Sequence, residues 1–299
     1  MDFIGNTKVA SILRNSLKKS SLGHAYLFSG PQNVGKFTLA KMFALAAISG
    51  DELSLTMDEY NKEALLDLLV VEPEMVEKNG ITKQRDISIE AIRDAKNSLS
   101  LFPYHGKYKI LIVDSAHKMN VSAQNGLLKI LEEPNPTTII ILVTHEIDRI
   151  LPTIISRLQI LNFGLVEDRD MQKGFGEDFS FQNDCIELSI GRPGLAKFLN
   201  ANVEEKNFRI DALMEFEKMK KGTLNEKFKL AEQLSKDTLR TIEKLNIWLW
   251  EIRKSMIVAN GQDAKKSYDS ISKIQKSMTI LKRSNANGRL VLETLFMDI

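Results

Sequence analysis

Cysteine is nearly absent from this chain. The single thiol, Cys185, excludes an intramolecular disulfide and leaves no C-x-x-C pair to hold zinc. Histidine is scarce too: His24, His105, His117 and His145 lie far apart and lack metal-ligand spacing, so no metal site is expected. Nor is there a strong charge of either sign. With 41 basic and 39 acidic residues the net charge is +2, so no overall field draws the protein to nucleic acid and any such contact has to be local. No apolar run reaches the ~18 residues of a membrane-spanning helix. The N-terminal stretch MDFIGNTKV lacks the apolar core of a secretion signal. Together these absences predict a cytoplasmic location in a reducing compartment, with no membrane partner.

What the chain does have is one organised stretch. Residues 24–38, HAYLFSGPQNVGKFT, read as a short buried strand (Ala25 to Phe28), a turn bracketed by Gly30 and Gly35, and the start of a helix at Lys36. In that context G-x-x-x-x-G-K means a phosphate-binding loop, in which backbone N–H groups and a helix N-terminus face anionic oxygens and the lysine reaches the outer phosphates. A chance occurrence of the pattern is the competing explanation. The position after the lysine, where Ser or Thr would hold Mg²⁺, is Phe37, and Thr38 points about 100° further around the helix.

The remaining pattern places the loop in a fold. An amphipathic helix is predicted over 7–20 from Val9, Ile12, Leu13 and Leu17, and the helix after the loop is expected to end at Gly50. Asp51 to Glu63 is uninformative. Leu68 to Val71, stopped by Pro73, reads as a buried parallel strand, followed by a polar loop containing Asn79-Gly80. Ser88 or Asp86 caps a helix carrying Ile89, Ile92, Ala95 and Leu99. Ile110 to Val113 form a strand closing on Asp114, at the edge where α/β proteins bind ligands. A capped helix (Leu127, Leu128, Ile130, Leu131) ends at Pro134, and TTIIILVT and the end of RILPTIISRLQILNF give two more strands. Strands alternating with helices predict a doubly wound parallel sheet over 1–165. Residues 166–206 read as a small helical domain and 207–299 as all helix, with an apolar stripe running from Leu230 to Met256. Residues 200–299 hold 19 basic and 14 acidic residues, a local +5 that fits solvated helix faces or a nucleic-acid patch.

Three stretches, HAYLFSGP with VGK, LSLFPYHGKYKILIVDSAHKMNVSAQNGLLKILEEPNPTTIIILVT, and LPTIISRL, resemble the AAA+ clamp-loader subunits of bacterial DNA polymerase III, and within them the delta-prime branch. The C-terminal NANGRLVLETLF is similar to the last collar helix of that family. The resemblance implies an AAA+ P-loop NTPase-like domain (1–165), a helical lid (166–206) and a collar (207–299). Its partners would be gamma/tau motor subunits, a delta subunit, the sliding clamp and primer-template DNA.

It also implies roles for individual residues. Gly30, Gly35, Lys36 and Thr38 match the Walker A region, and Asp114 matches the Walker B aspartate, with capping of the next loop as its alternative. Thr144 fits the polar sensor, with His145 as the competing alignment. Ser115 stands where active ATPases place a glutamate, and a serine is a poor general base. Gly194 falls at the second-sensor arginine, with Arg192 two residues early. Arg157, in SRL, matches the arginine that reaches a neighbouring subunit's nucleotide; a surface arginine paired to a local carboxylate is the alternative. The family's four-cysteine zinc module has no counterpart here. The resemblance thus implies a subunit inactive as an ATPase, binding ATP without hydrolysis if at all, with an active motor ATPase or a nucleotide-free assembly or DNA-binding module as alternatives.

Overall fold

Period-two alternation within the apolar strands decides the architecture. In β1 (Ala25–Ser29), Tyr26 and Phe28 join one core cluster while Ala25 and Leu27 join another. The same division separates Ile110 and Ile112 from Leu111 and Val113, and Ile139, Ile141 and Val143 from Ile140 and Leu142. A strand apolar on both faces needs helices on both.

The computed structural model describes residues 3–19, 21–55, 62–78, 81–176, 183–258, 262–283 and 286–299. The chain divides into two compact units, residues 1–196 and 197–299. The first begins with α1 (Thr7–Lys18), β1, α2 (Lys36–Ser49), β2 (Leu68–Val71), β3 (Met75–Lys78), β4 (Ile81–Gln84) and α3 (Ile89–Leu99). It continues through β5 (Lys109–Val113), α4 (Val121–Glu132), β6 (Thr138–Thr144), α5 (Pro152–Ile155), β7 (Gln159–Asn162), α6 (Asp168–Phe175), α7 (Asn183–Ser189) and the start of α8 (Pro193–Ala201).

The five-stranded sheet has the order β2-β5-β6-β1-β7, with every pairing parallel. Helices α1 and α2 pack on one face, through Val9, Leu13, Leu39 and Phe43, and α3 and α4 on the other, through Ile92, Leu99, Leu127 and Leu131. Because β1 lies between β6 and β7, the chain leaving it crosses to the far edge at β2, and the strand order reverses beside β1. Ligands of open α/β sheets bind at such a reversal, beyond the C-terminal strand ends.

Local signals explain the boundaries. The Ser88 hydroxyl accepts the Ala91 N–H at 3.5 Å, and Asn120 Oδ1 accepts the Ala123 N–H at 2.8 Å, so of the two caps open for α3 it is Ser88 that serves. Helix α2 ends at Gly50, whose φ of 76° is the left-handed cap conformation. Asp67, fully buried, accepts the N–H groups of Tyr104, His105 and Gly106 at 2.7, 2.9 and 3.1 Å and so pins the loop leading into β5.

The structure differs from the sequence expectations at several elements. β2 is not a buried strand: it is the sheet edge, and Val70 is 41% exposed. The polar stretch beyond it forms an antiparallel hairpin of β3 and β4; Asn79 and Gly80 between them lie outside the described residues, as do most of Asp51 to Glu63 beyond Leu55. Ile12 faces solvent rather than the core side of α1. Helices α6, α7 and α8 follow the sheet as expected, and Met171, Ile186 and Ala196 form a small cluster with Ile4 and Val166.

The second unit comprises the end of α8 and α9 (Val203–Lys221), α10 (Leu224–Ser235), α11 (Thr238–Val258), α12 (Gln262–Arg283) and α13 (Gly288–Asp298). Fully buried Trp248 centres it, donating its indole N–H to the Ala212 carbonyl at 2.7 Å and lying 5.2 and 5.7 Å from the Phe216 and Phe296 rings. The stripe from Leu230 to Met256 is not one helix. The chain breaks after Ser235, and Asp237 Oδ1 accepts the Arg240 N–H at 3.0 Å, capping a new helix whose apolar residues keep the same phase.

Gly30 ties the sheet to the loop. Its φ is 145°, and a Cβ there would lie 2.2 Å from the Phe163 carbonyl oxygen. Gly30→Ala is therefore expected to lose about 2–4 kcal/mol of stability, whereas Gly164→Ala, with open space around it, should stay within about 0.5 kcal/mol of the parent in urea denaturation.

Candidate functional site

At the reversal of strand order the C-terminal ends of β1, β5 and β6 and the N-terminus of α2 surround a cavity of about 230 Å³. Gly35, Lys36, Thr38, Asp114 and Thr144 line it, so most of the residues expected from the sequence meet in one place. Gly30 is not in the wall; it acts one step back, by letting the loop leave β1 against Phe163. Gln32 and Asn33 also line the cavity without a side-chain signature, because a phosphate loop offers backbone between its glycines, and Val143 joins them from the end of β6.

Lys36 is 6% exposed, and its ammonium donates to the Gly30 carbonyl at 2.7 Å and to the Pro31 carbonyl. The loop thus closes on its own lysine. Burial pushes Lys36 down to about 8, opposed by the charge of Asp114. Asp114 moves the other way: burial raises its carboxyl and Glu72 adds to the rise, against the Ser115 N–H that it accepts at 2.8 Å and the charge of Lys36. At both groups burial outweighs mutual attraction. Asp114 lines the cavity and also holds the following turn, where Ser115 is left-handed at φ 50°.

Thr144 is fully buried at the end of β6. Its hydroxyl accepts the Glu146 N–H at 3.1 Å and lies 3.3 Å from His117 Nδ1, so it braces the turn as well as facing the cavity. Thr144 and His145 both reach the wall. His117, in the turn after β5, is 4% exposed and packs edge-to-face on His145 with ring centroids 4.1 Å apart. Burial, with His145 adding to it, pushes His117 down to about 4, and burial lowers His145 as well.

Two of the departures noted in the sequence, Phe37 and Gly194, make structural contacts of their own. Phe37 packs against the core cluster under α2, so the residues here do not fit a Mg²⁺ ion held by a hydroxyl at that position. Gly194 lies on the cavity wall and donates its N–H to the Asn33 carbonyl at 2.9 Å; a Cβ there would come within 3.1 Å of the same oxygen. The position that the resemblance aligned with the second-sensor arginine thus makes a backbone contact to the loop. Arg192 directs its Nε to the Ser189 carbonyl at 3.0 Å and is absent from the wall.

Arg157 stands apart. It follows α5, outside the cavity, with Nη2 2.7 Å from Glu132 Oε1 and Nη1 donating to the Thr153 carbonyl at 2.8 Å and the Ser156 hydroxyl at 3.2 Å. The local carboxylate pairing anticipated as the alternative is present, at an exposed position.

A P-loop between strand β1 of a parallel sheet and a helix, with an aspartate directly after β5 two strands away, defines the AAA+ P-loop NTPase-like class. The family model described as "DNA polymerase III, delta subunit" matches residues 5–167, a little over half of the chain. The chain belongs to that DNA polymerase III family. It is similar to DNA polymerase III subunit tau of Bacillus subtilis, 34% identical over 162 residues that cover 54% of this chain and 28% of the relative. DNA polymerase III subunit gamma/tau of Mycoplasma genitalium is 27% identical over 241 residues, 78% of this chain and 35% of the relative. The chain thus spans about a third of the length of these relatives. In fold it is similar to the crystal structure of a gamma subunit-related protein from Thermotoga maritima, at 21% identity and TM-score 0.53, covering 96% and 97% of the two chains. No helix among the described residues is long and apolar enough to cross a membrane.

Because the native pKa of Lys36 lies below its ordinary value of 10.5, the unfolded chain binds more protons between about pH 8 and that value, and stability rises with pH across the window. The stability of the parent relative to Lys36→Met should therefore increase by on the order of 1–2 kcal/mol between about pH 7.5 and about pH 9.5 in urea denaturation; a flat or falling difference would show that the ammonium is not desolvated.

Proposed function

We propose that this chain is an accessory, delta-prime-like subunit of the bacterial DNA polymerase III clamp loader, one that serves a neighbour's ATP rather than hydrolysing its own. The observation that carries this reading is the separation of parts. The chain's own cavity has Phe37, Ser115 and Gly194 where a motor needs a hydroxyl, a glutamate and an arginine, while Arg157 lies exposed outside it. In this reading residues 1–165 form the AAA+ domain, 166–206 the lid and 207–299 the collar. The collar holds the chain in a ring with gamma/tau and delta subunits, and the ring places the sliding clamp on primer-template DNA. ATP, if held at Gly35, Lys36 and Thr38, is bound without turnover.

Arg157 then acts in trans. A guanidinium placed on the transferring phosphoryl stabilises charge that develops there, an effect large enough to control hydrolysis. Its pairing with Glu132 does not obstruct this, because an exposed ion pair is worth about 0–1 kcal/mol and a phosphoryl group replaces the carboxylate readily. Thr153 and Ser156 hold one edge of the guanidinium in place meanwhile.

The similarity to tau and gamma/tau favours a second reading, an active motor ATPase. ATP hydrolysis by the isolated chain separates the two, since turnover above background supports the motor and removes the accessory role. In a loader reconstituted with gamma/tau and delta subunits, Arg157→Ala should leave assembly intact and lower DNA-stimulated ATPase severalfold, roughly threefold or more, with Arg157→Lys restoring little because it lacks the planar fork. Unchanged ATPase in an intact Arg157→Ala complex would remove Arg157 from the mechanism.

A further inference from the structure

The turns after β5 and β6 bring together side chains that the sequence keeps apart. Ligand atoms of His117, His145 and Glu146 all lie within 4.8 Å of one another, and among the described residues no other three histidine, cysteine or carboxylate side chains converge so closely. We propose that His117, His145 and Glu146 form a binding site for a divalent transition metal of the Zn²⁺ class, at the rim of the phosphate-loop cavity. Two imidazoles and one carboxylate are a donor set that Zn²⁺ takes, with a fourth position open to water or an incoming oxygen.

Two of the three ligands already have an orienting partner, as metal ligands commonly do. His117 is buried, and its Nδ1 is 3.3 Å from the Thr144 hydroxyl, leaving Nε2 for the metal. Glu146 gives Oε2 to Arg149 Nε at 3.0 Å, so Oε1 turns to His145 Nε2 at 3.7 Å. Tetrahedral Zn²⁺ with bonds of about 2.0–2.2 Å sets its ligands about 3.5 Å apart, so the site must close by about 1 Å. His145 and Glu146 have side chains 29% and 46% exposed and are free to make that movement, whereas His117 is the fixed point. The charges of Lys118 and Arg149, felt at both imidazoles, oppose a cation, so the expected affinity is micromolar rather than tighter. A metal here would tie the turn that follows Asp114 to the turn that follows Thr144, fixing two walls of the cavity at once. The proposal does not depend on the role of Arg157.

The test uses the full chain, purified without a metal-affinity tag, stripped with a chelator and titrated with Zn²⁺ alone by calorimetry. About one equivalent should bind, His145→Ala and Glu146→Gln should each weaken binding at least ~10-fold, and His105→Ala and Cys185→Ser should leave it unchanged. Cobalt substitution provides a second measurement: the parent should show the visible d–d bands of a tetrahedral site, and His145→Ala should lose them. Absence of stoichiometric Zn²⁺ binding, binding that survives His145→Ala, or binding that depends on His105 would each overturn the proposal.

Discussion

The arrangement at the sheet's ligand edge depends on one close approach, the backbone at Gly30 against the carbonyl of Phe163. The Phe163 N–H donates to the Ser29 carbonyl at 2.7 Å, extending the pairing of β1 with β7 one residue further and bringing the loop's first peptide against its neighbour with no side chain between them. From there the loop turns through Asn33, left-handed at φ 64°, and Gly35 at φ 88°, and delivers Lys36 to the start of α2. Gly194 leans on the same loop through Asn33. Sheet, α2 and the start of α8 are therefore aligned by a few backbone contacts, two of which need glycine, at Gly30 and Gly194. The G-x-x-x-x-G-K pattern has a sufficient cause in folding, whatever it binds.

That makes the departures around the cavity informative. In the proposed reading the positions of the hydroxyl, the base and the second-sensor arginine are taken by Phe37, Ser115 and Gly194, and each of these residues has a structural part of its own. Phe37 fills space under α2, Ser115 supports a left-handed turn, and Gly194 donates to Asn33. None of these positions stabilises the fold through chemistry at a phosphate. Arg157, by contrast, is held by exposed groups that add little to stability. An arginine outside its own chain's cavity, held by exposed groups at the end of a short helix, is the physical basis of the proposed role.

Much of the first unit was legible in the sequence because its strands are short, apolar and separated by glycine and proline, and its helix caps are single residues. β2 misled because an apolar run of four looks the same at an edge as in the middle; only the strand order tells them apart. The hairpin beyond it was read as a polar loop because its strands are too polar to stand out. The division between α10 and α11 was hidden because Leu234 and Thr238 keep a four-residue spacing across the break, so the apolar phase continues where the helix does not. In the site, Lys36, Asp114 and Thr144 were visible as strand-end and loop residues. The approach of His117 to His145 was not, since it arises from β5 and β6 being neighbours and no local pattern reports a pairing of distant strands. The double duty of Thr144 was invisible for the same reason.

The hydrogen bonds of Lys36 to Gly30 and Pro31 carry one more consequence. The loop contains its own occupant. An arriving anion does not enter a vacant cradle; it competes with carbonyl oxygens for an ammonium that is already largely desolvated and already holds two acceptors. Association is an exchange of ligands within a closed ring, and the measured affinity of any phosphate compound is the difference between two bound states. Weak binding would then describe a well-matched competitor in the loop rather than a defective loop.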